Sequence, residues 1–165
     1  MKKIMLAVVM MMGLGSAAMA VPLQVDSGWQ SFSWDGLGFT TPSFLLSGPA
    51  TIDLTDRYII GDQFSLYDGA TLLGTTSDTY WDGLPSGCST GDACWANPFV
   101  SKGSFLLGVG SHSLRIKVVD TAPRYPSGSG FIRATSTSVP EPGSLALLGA
   151  GLLGLAMLRR RQVIG

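Results

Sequence analysis

A chain of 165 residues in which 13% of the residues are charged, with a formal net charge of zero, is long enough for one small domain and flanking segments. The charges are unevenly distributed. The stretch from Val21 to Ser138 carries ten Asp and six Lys or Arg, a net charge of −4, whereas five basic residues lie at the two ends of the chain. This mildly acidic body has no basic run that could neutralise phosphates, which argues against a nucleic-acid partner.

The body has the composition of a β protein. It contains no glutamate and no methionine, and it is rich in Gly, Ser and Thr. Strong helix formers are therefore scarce, whereas residues suited to strands and tight turns are plentiful. The composition predicts an all-β fold.

The first twenty residues have the form of a secretory signal peptide. Two lysines precede the apolar run Ile4–Leu14, and Ala18 and Ala20 provide the small-x-small pattern of a cleavage site. We expect cleavage after Ala20, which removes residues 1–20. An uncleaved N-terminal anchor is the alternative, although the apolar run is short for a membrane span.

Short strand-like runs separated by turns fill the body. In Ala50–Thr55 every second residue is apolar, which is typical of a strand with one buried and one polar face. The clearest alternation lies in Ser113–Val118, where one face is apolar and the other carries Arg115 and Lys117. The remaining predicted strands are Ser27–Ser33, Ser43–Leu46, Asp62–Tyr67, Ala70–Thr75, Ser104–Leu107 and Gly130–Thr135.

The turns and the number of strands predict the architecture. Asp68 and Gly69 lie between two strand-like runs and predict a two-residue hairpin turn, because glycine accepts a positive φ. Six to nine short strands, with no βαβ rhythm, predict a single jelly-roll-like β-sandwich over residues 21–135.

The stretch Ser77–Lys102 shows little periodicity and is predicted to be a long surface loop. It contains both cysteines of the chain, Cys88 and Cys94. After export to an oxidising compartment a local disulfide is favoured, with free thiols and, last, a metal site as alternatives. Such a bridge would stabilise chiefly the loop, by about 2–3 kcal/mol.

Few residues of the body offer site chemistry. His112 is the only histidine, and no nucleophile elbow accompanies it, so we expect a turn or strand-edge histidine and no catalytic residue. No cofactor is predicted, but Ca²⁺ is the ion to consider, because several Asp flank one predicted hairpin and carboxylates are its preferred ligands. Turn-forming roles are the alternative. The aspartates concerned are Asp53, Asp56, Asp62 and Asp68.

Four tryptophans lie in the body. Exposed aromatic faces can stack on sugar rings, so Trp81 and Trp95 of the predicted loop are candidate glycan contacts, with Trp34 as a third. The alternative is that the tryptophans fill the core and anchor the loop. We favour this alternative, because no regular aromatic spacing is visible.

The C-terminal segment combines a rigid motif, a short apolar run and a basic stop. Its motif lies in a linker over 136–143 and is held extended by two prolines; it consists of Val139, Pro140, Glu141 and Pro142. The uncharged run Ser144–Leu158 would be about 22 Å long as a helix, against a hydrocarbon core of about 30 Å, and predicts a short transmembrane helix. Three arginines, Arg159, Arg160 and Arg161, predict a cytoplasmic tail over 159–165.

This tail resembles the sorting signal of the PEP-CTERM family of exported bacterial proteins. The resemblance implies recognition by an exosortase, a membrane-embedded cysteine transpeptidase that cuts near the motif, in a Gram-negative-type host that makes extracellular polysaccharide. Unrelated bodies carry such tails, including some ice-binding proteins, so no shared activity is implied. The body is loosely similar to frequent PEP-CTERM ectodomains at Leu54–Asp56, Gly61–Phe64 and Ser111–Leu114.

Together these patterns predict a non-enzymatic exported surface or extracellular-matrix protein linked to exopolysaccharide and biofilm. Its expected partners are the membrane, an exosortase-type sorting enzyme and extracellular polysaccharide. We expect export through the inner membrane, a transient anchor with the body outside the cytoplasm, and then the cell surface or matrix. The alternative is an extracellular carbohydrate-binding module that uses the tryptophans of the long loop; a hydrolase comes third.

Overall fold

Ten strands and one short helix form the part of the chain that the computed structural model describes, which is residues 20–78, 85 and 87–137. No helix within these ranges is long and apolar enough to cross a membrane. The predicted signal peptide up to residue 19, Trp81 and the predicted tail from residue 138 onward lie outside the described residues. The elements are β1 Val21–Pro22, β2 Gln30–Asp35, β3 Gly38–Phe39, β4 Phe44–Ser47, β5 Ala50–Asp56, β6 Gln63–Asp68, β7 Thr71–Thr75, α1 Gly91–Ala96, β8 Lys102–Leu107, β9 Ser111–Asp120 and β10 Ser127–Ser136.

The strands form two sheets that pack face to face. The first sheet has the order β1-β4-β9-β6-β7, with β3 also paired to β9, and the second has the order β2-β10-β5-β8. All pairs are antiparallel except β1 with β4. From β4 onward, successive strands alternate between the sheets apart from the β6–β7 hairpin, which is the connectivity expected of a jelly-roll-like architecture. The predicted all-β sandwich is confirmed.

The apolar core lies between the sheets and follows the predicted alternation. On β9, Leu114, Ile116 and Val118 are buried, whereas Arg115 and Lys117 on the opposite face are partly exposed. Because successive side chains of a strand point to opposite faces, each strand contributes every second residue to this core. The largest fully buried apolar side chains are Phe44, Ile52, Leu54, Phe64, Leu66, Val100, Leu114, Ile116, Val118 and Ile132.

The β6–β7 hairpin forms where it was predicted, but its turn is shifted by one residue. Asp68 pairs with Thr71, so the two loop residues are Gly69 and Ala70, and Gly69 has a φ of 56°. Asp68 remains in the strand because its carboxylate accepts a hydrogen bond, 2.9 Å long, from the backbone N–H of Ser113 on β9. The prediction that Asp68 and Gly69 form the turn is therefore wrong by one position.

Strand β5 is buried on both faces, contrary to the prediction of a half-exposed strand. Ile52 and Leu54 lie in the core, yet Asp53 and Thr55 on the opposite face are also buried, with exposed fractions of 5% and 0%. We name residues 87–101 the covering segment, because this stretch lies over the outer face of the second sheet. It forms a second apolar cluster with that sheet, made of Trp29, Cys88, Cys94, Val100 and Phe131.

The covering segment contains helix α1, so the prediction of a structureless surface loop is wrong for its described part. The helix starts at Gly91, where the side chain of the preceding Thr90 accepts a hydrogen bond from the backbone N–H of Ala93. An acidic residue, Asp92, lies in the first turn, where it interacts favourably with the helix dipole. Six residues are too few to show a helical period in the sequence, which is why the pattern was missed.

Packing of α1 depends on a glycine. A Cβ atom at Gly91 would overlap the indole ring of Trp29, so Gly91→Ala forces either the ring or the helix to shift. We expect this substitution to lower the free energy of unfolding by about 1–3 kcal/mol in chemical denaturation of the purified chain. Gly108→Ala is the matched control: a Cβ there meets nothing within 4 Å, and the change should stay within about 0.5 kcal/mol. Equal effects of the two substitutions would contradict this packing.

Candidate functional site

The two cysteines are joined as a disulfide in the covering segment. The Cα atoms of Cys88 and Cys94 lie 5.0 Å apart, and both residues are buried. Cys94 belongs to α1, whereas Cys88 precedes the helix, so the bridge closes the chain around the helix start. Because both sulfur atoms belong to the second apolar cluster, the disulfide fixes the covering segment against the sheet as well as on itself.

An aromatic and cationic layer lies between α1 and the second sheet. The rings of Trp29 and Trp95 are 5.8 Å apart between centroids, and the Arg133 guanidinium lies 4.3 Å from the Trp29 centroid. Arg133 donates to Asp53 on the neighbouring strand at 2.8 Å and to Asp92 of α1 at 3.3 Å. The Trp29 indole N–H also donates to Asp92, at 2.8 Å. This layer joins the helix to the sheet.

The predicted glycan contacts Trp95 and Trp34 both pack against other parts of the body. Trp95 is half-buried, and its backbone carbonyl accepts a hydrogen bond of 2.6 Å from the Lys102 ammonium. One side of its ring is already occupied by Trp29, which is the behaviour of a packing anchor. Trp34 has an exposed fraction of 7%, so the prediction that its ring face stacks on a glycan is wrong. Trp81 lies outside the described residues.

The four aspartates considered for Ca²⁺ are divided among three places. Asp53 is on the outer face of the second sheet, Asp68 is at the end of β6, and Asp56 and Asp62 contact each other at one end of the sandwich. Within the described ranges, no group of three or more His, Cys, Asp or Glu side chains is arranged to hold a metal ion. These four aspartates therefore do not meet at one place.

Asp56 and Asp62 form a buried acid pair. The Asp56 carboxyl group accepts a hydrogen bond of 2.6 Å from the backbone N–H of Arg57, and Asp62 accepts one of 2.9 Å from that of Ala122. Burial, together with the charge of Asp62, raises the pKa of Asp56 from 3.8 to about 9, and burial also raises the pKa of Asp62. Asp56 is consequently protonated at neutral pH, next to the Asp62 carboxyl group.

The acid pair ties together three parts of the chain. Asp56 ends β5, Asp62 precedes β6, and Ala122 follows β9, so the two carboxyl groups join both sheets at one end. Their exposed fractions are 0% and 2%, which leaves no path for a substrate to reach either group. This geometry stabilises the fold and offers no surface for general acid–base chemistry.

His112 joins two strands and a turn. Its Nδ1 lies 2.7 Å from Asp68 Oδ2 and its Nε2 lies 3.0 Å from the carbonyl oxygen of Gly108. The hydrogen bond to Asp68 is the main cause that raises the pKa of His112, and the same bond lowers the pKa of Asp68. Both ring nitrogens face acceptors, so the imidazolium form donates from each. The Nε2 atom is thus occupied by backbone and does not face a serine hydroxyl.

Sequence reasoning missed Trp29 and Arg133, which hold the covering segment on the sheet. Neither residue lies in a motif, and their partnership with Asp92 spans more than 40 residues. The one signal available was the run Thr90–Asp92 before an apolar pair, which is compatible with a helix cap. The pairing of Asp56 with Asp62 was likewise invisible, because it depends on the turn between β5 and β6.

The raised pKa of Asp56 predicts that the free energy of unfolding falls as pH rises. Between 3.8 and about 9 the folded chain keeps a proton on Asp56 that the unfolded chain releases, so rising pH favours unfolding, by up to about 1.4 kcal/mol per pH unit. Asp56→Asn keeps a neutral hydrogen-bonding group and should flatten the dependence of Tm on pH between 5 and 9. Asp78→Asn, at an exposed position, should not. Parallel curves for the natural chain and Asp56→Asn would rule out a protonated Asp56.

The His112–Asp68 pair predicts a separate titration. Because its pKa is raised, His112 stabilises the fold fully below pH 6.5, and this stabilisation is lost as pH rises through the folded-state pKa. Because its pKa is lowered, Asp68 stabilises the fold above pH 3.8, and this stabilisation is lost as pH falls through the folded-state pKa. The pair therefore contributes most to the free energy of unfolding between pH 3.8 and pH 6.5. Because His112 is the only histidine, its ring signal in a proton NMR titration is unambiguous. We expect a pKa above 6.5 that falls in Asp68→Asn; a value unaffected by that substitution would disprove the pairing.

Comparisons with known proteins add one specific match. Residues 138–161 match the family model of the PEP-CTERM protein-sorting motif. No curated protein sequence matches the chain. Among solved structures, the chain is similar to the pre-peptidase C-terminal domain of a collagenase from Bacillus anthracis, with 11% identity, a TM-score of 0.40, and coverage of 73% of this chain and 98% of that one. The chain is therefore a β-sandwich protein that carries a PEP-CTERM sorting motif at its C-terminal end.

Proposed function

We propose that this chain is an exported, non-enzymatic protein of the cell surface or extracellular matrix, associated with exopolysaccharide and biofilm. The single observation that carries the proposal is the sorting-motif match over residues 138–161, directly after a closed β-sandwich. The signal-like residues 1–20 bring the chain to the membrane. The short apolar segment 144–158 then holds it there until an exosortase-type enzyme acts at Val139–Pro142.

The position of β10 supports this arrangement. This strand lies between β2 and β5, so the tail continues from an internal strand. The end of β10 is also fixed to the start of the body, because the backbone N–H of Ser136 donates to Asp26 at 2.9 Å. A linker over 136–143 spans at most about 28 Å when fully extended. The sandwich would therefore stay close to the membrane while the anchor is present.

The proposed non-enzymatic role is supported by the contacts that the titratable side chains of the body make. The acid pair Asp56–Asp62 is sealed from solvent, and the Nε2 atom of His112 is bound to a backbone carbonyl. The charges of Asp53 and Arg133 are paired with each other. These described side chains hold strands together, which supports a structural role for each of them.

Binding of a glycan through Trp81 and Trp95 stays a prediction. The contact of Trp95 with Trp29 favours a structural role for that ring, since one of its sides is already covered.

The sorting proposal is tested by changing the motif alone. In a bacterium that carries an exosortase, we expect the natural chain to leave the membrane fraction in a shortened form. Replacing both Pro140 and Pro142 with Ala removes the rigid extended motif and should leave full-length chain in the membrane fraction. Pro123→Ala, at an exposed position in the body, is the control and should be processed normally. Normal processing of the double variant, or a natural chain that stays in the cytosol, would refute the proposal.

A further inference from the structure

The C-terminal segment leaves the sandwich beside the turn between β8 and β9. Ser136, the last residue of β10, pairs with Ala50 on β5, and Ala50 pairs with Leu107 on β8. These three residues form one row across the second sheet. Because neighbouring strands lie about 4.8 Å apart, the exit of the segment is about 10 Å from the end of β8.

Three turns lie at this end of the sandwich, and none of them contains a charged residue. They are residues 48–49, 69–70 and 108–110, and they consist of Gly, Pro, Ala and Val. The backbone N–H of Gly48 donates to the carbonyl of Gly110 at 2.7 Å, and that of Gly69 donates to the carbonyl of Ser113 at 2.8 Å, so all three turns are fixed around the start of β9. We name these three turns, together with Ser136, the tail end.

The opposite end of the sandwich carries charged residues. Its connections contain Arg57 and Arg124, and the exposed aspartates Asp35 and Asp120 end β2 and β9 there. Moving a charged group from water toward hydrocarbon is strongly unfavourable. The tail end can therefore approach a lipid bilayer at a smaller cost in free energy than the opposite end can.

The charged side chains that flank the tail end already have partners. Asp68 is paired with His112, Arg115 donates to the carbonyl of Gly69, and Asp26 accepts a backbone N–H from the last residue of β10. A charge that is hydrogen-bonded to protein loses less on leaving water than an unpaired one.

An apolar side chain projects from the tail end on a turn that is held on both sides. Val109 is 83% exposed, and Leu106 on the adjoining strand is 74% exposed. The Gly108 carbonyl oxygen lies 3.0 Å from His112 Nε2, and the Gly110 carbonyl is bound by the turn between β4 and β5. Because both neighbours of Val109 are tied to other strands, its side chain is held away from the core. Transfer of such a side chain into an apolar medium is favourable.

The proposed membrane anchor makes even a weak lipid contact effective. The linker over 136–143 spans at most about 28 Å, so the tail end stays within reach of the bilayer surface while residues 144–158 are held there. A contact made by a tethered body is intramolecular, and it forms at a high effective concentration of its partner.

We propose that, while the anchor is intact, the tail end rests on the outer surface of the inner membrane, with Val109 inserted among the lipid head groups and Leu106 beside it. This inference rests on the anchor of the proposed function and adds the surface of the body that meets the lipid. The start of the linker then lies at the membrane surface, where a membrane-embedded sorting enzyme acts. The opposite end of the sandwich faces away from the membrane.

The test places a fluorescent label at position 109. The two native cysteines are joined to each other, so Val109→Cys supplies the one free thiol for a bimane label. The chain is purified from a bacterium without exosortase, so that its C-terminal segment is intact, and is reconstituted into vesicles of phosphatidylethanolamine and phosphatidylglycerol. We expect the emission of the label to move to shorter wavelength and to be quenched about twofold or more by lipids that carry a doxyl group.

Tyr125→Cys is the matched control. Tyr125 is 44% exposed and lies in the connection between β9 and β10, at the opposite end. A bimane label there should keep the emission of a probe in water and should be quenched far less by the same lipids.

A charge in the turn tests the same contact from a second position. With the label at Leu106→Cys, the further substitution Val109→Asp should reduce quenching by doxyl lipids, because a carboxylate resists transfer out of water. Its fold should persist, since the Val109 side chain is 83% exposed. Pro123→Asp, at an exposed position of the opposite end, should leave the quenching of the Leu106 label unchanged.

Several results would overturn the proposal. They are a label at 109 that is quenched no more than one at 125, an undiminished quenching of the Leu106 label in Val109→Asp, and an emission shift at 109 without quenching by doxyl lipids. The last result would mean that a second copy of the chain or another protein covers the turn.

The same vesicles separate this proposal from the proposed function. A chain that does not float with the vesicles would refute the anchor of the proposed function, and the orientation with it. A chain that floats while its label at 109 remains in water would refute the orientation alone and would leave the sorting proposal intact.

Discussion

Strand β5 places Ile52 and Leu54 in the core between the sheets and Asp53 and Thr55 on the opposite face, and all four are buried. Burying the two polar residues requires partners, because an unpaired charge or hydroxyl away from water is strongly unfavourable. Arg133 pairs with Asp53, and the Thr55 hydroxyl donates to the backbone carbonyl of Ser101 at 3.2 Å. The covering segment must therefore remain on the second sheet, and its disulfide and helix α1 hold it there.

Charged and titratable side chains elsewhere in the body also hold elements together. The acid pair joins the two sheets at one end of the sandwich, His112 joins β6 to β9, and Arg133 joins the second sheet to α1. A body built this way tolerates an extracellular setting, where a disulfide persists.

Features formed by residues close together in the sequence could be predicted, whereas features formed by distant residues could not. The motif Val139–Pro142 with its apolar run and arginines is contiguous, so it was recognisable without structure. The alternation of Ser113–Val118 correctly predicted a strand with one buried face, because a two-residue period needs no partner to be seen. The outer burial of β5 could not be predicted, since it depends on a segment more than thirty residues later. Helix α1 was too short for its period to show in the sequence.

The central claim is that a closed sandwich is delivered to the outside and released by cutting at both ends. Mass spectrometry of the mature protein, recovered from the medium or the cell surface, tests this most directly. The account predicts a chain that begins at Val21, ends near Pro142 and has a mass lowered by two hydrogens for the Cys88–Cys94 disulfide. A recovered chain that still carries residues 1–20 or Arg159–Arg161 would contradict it.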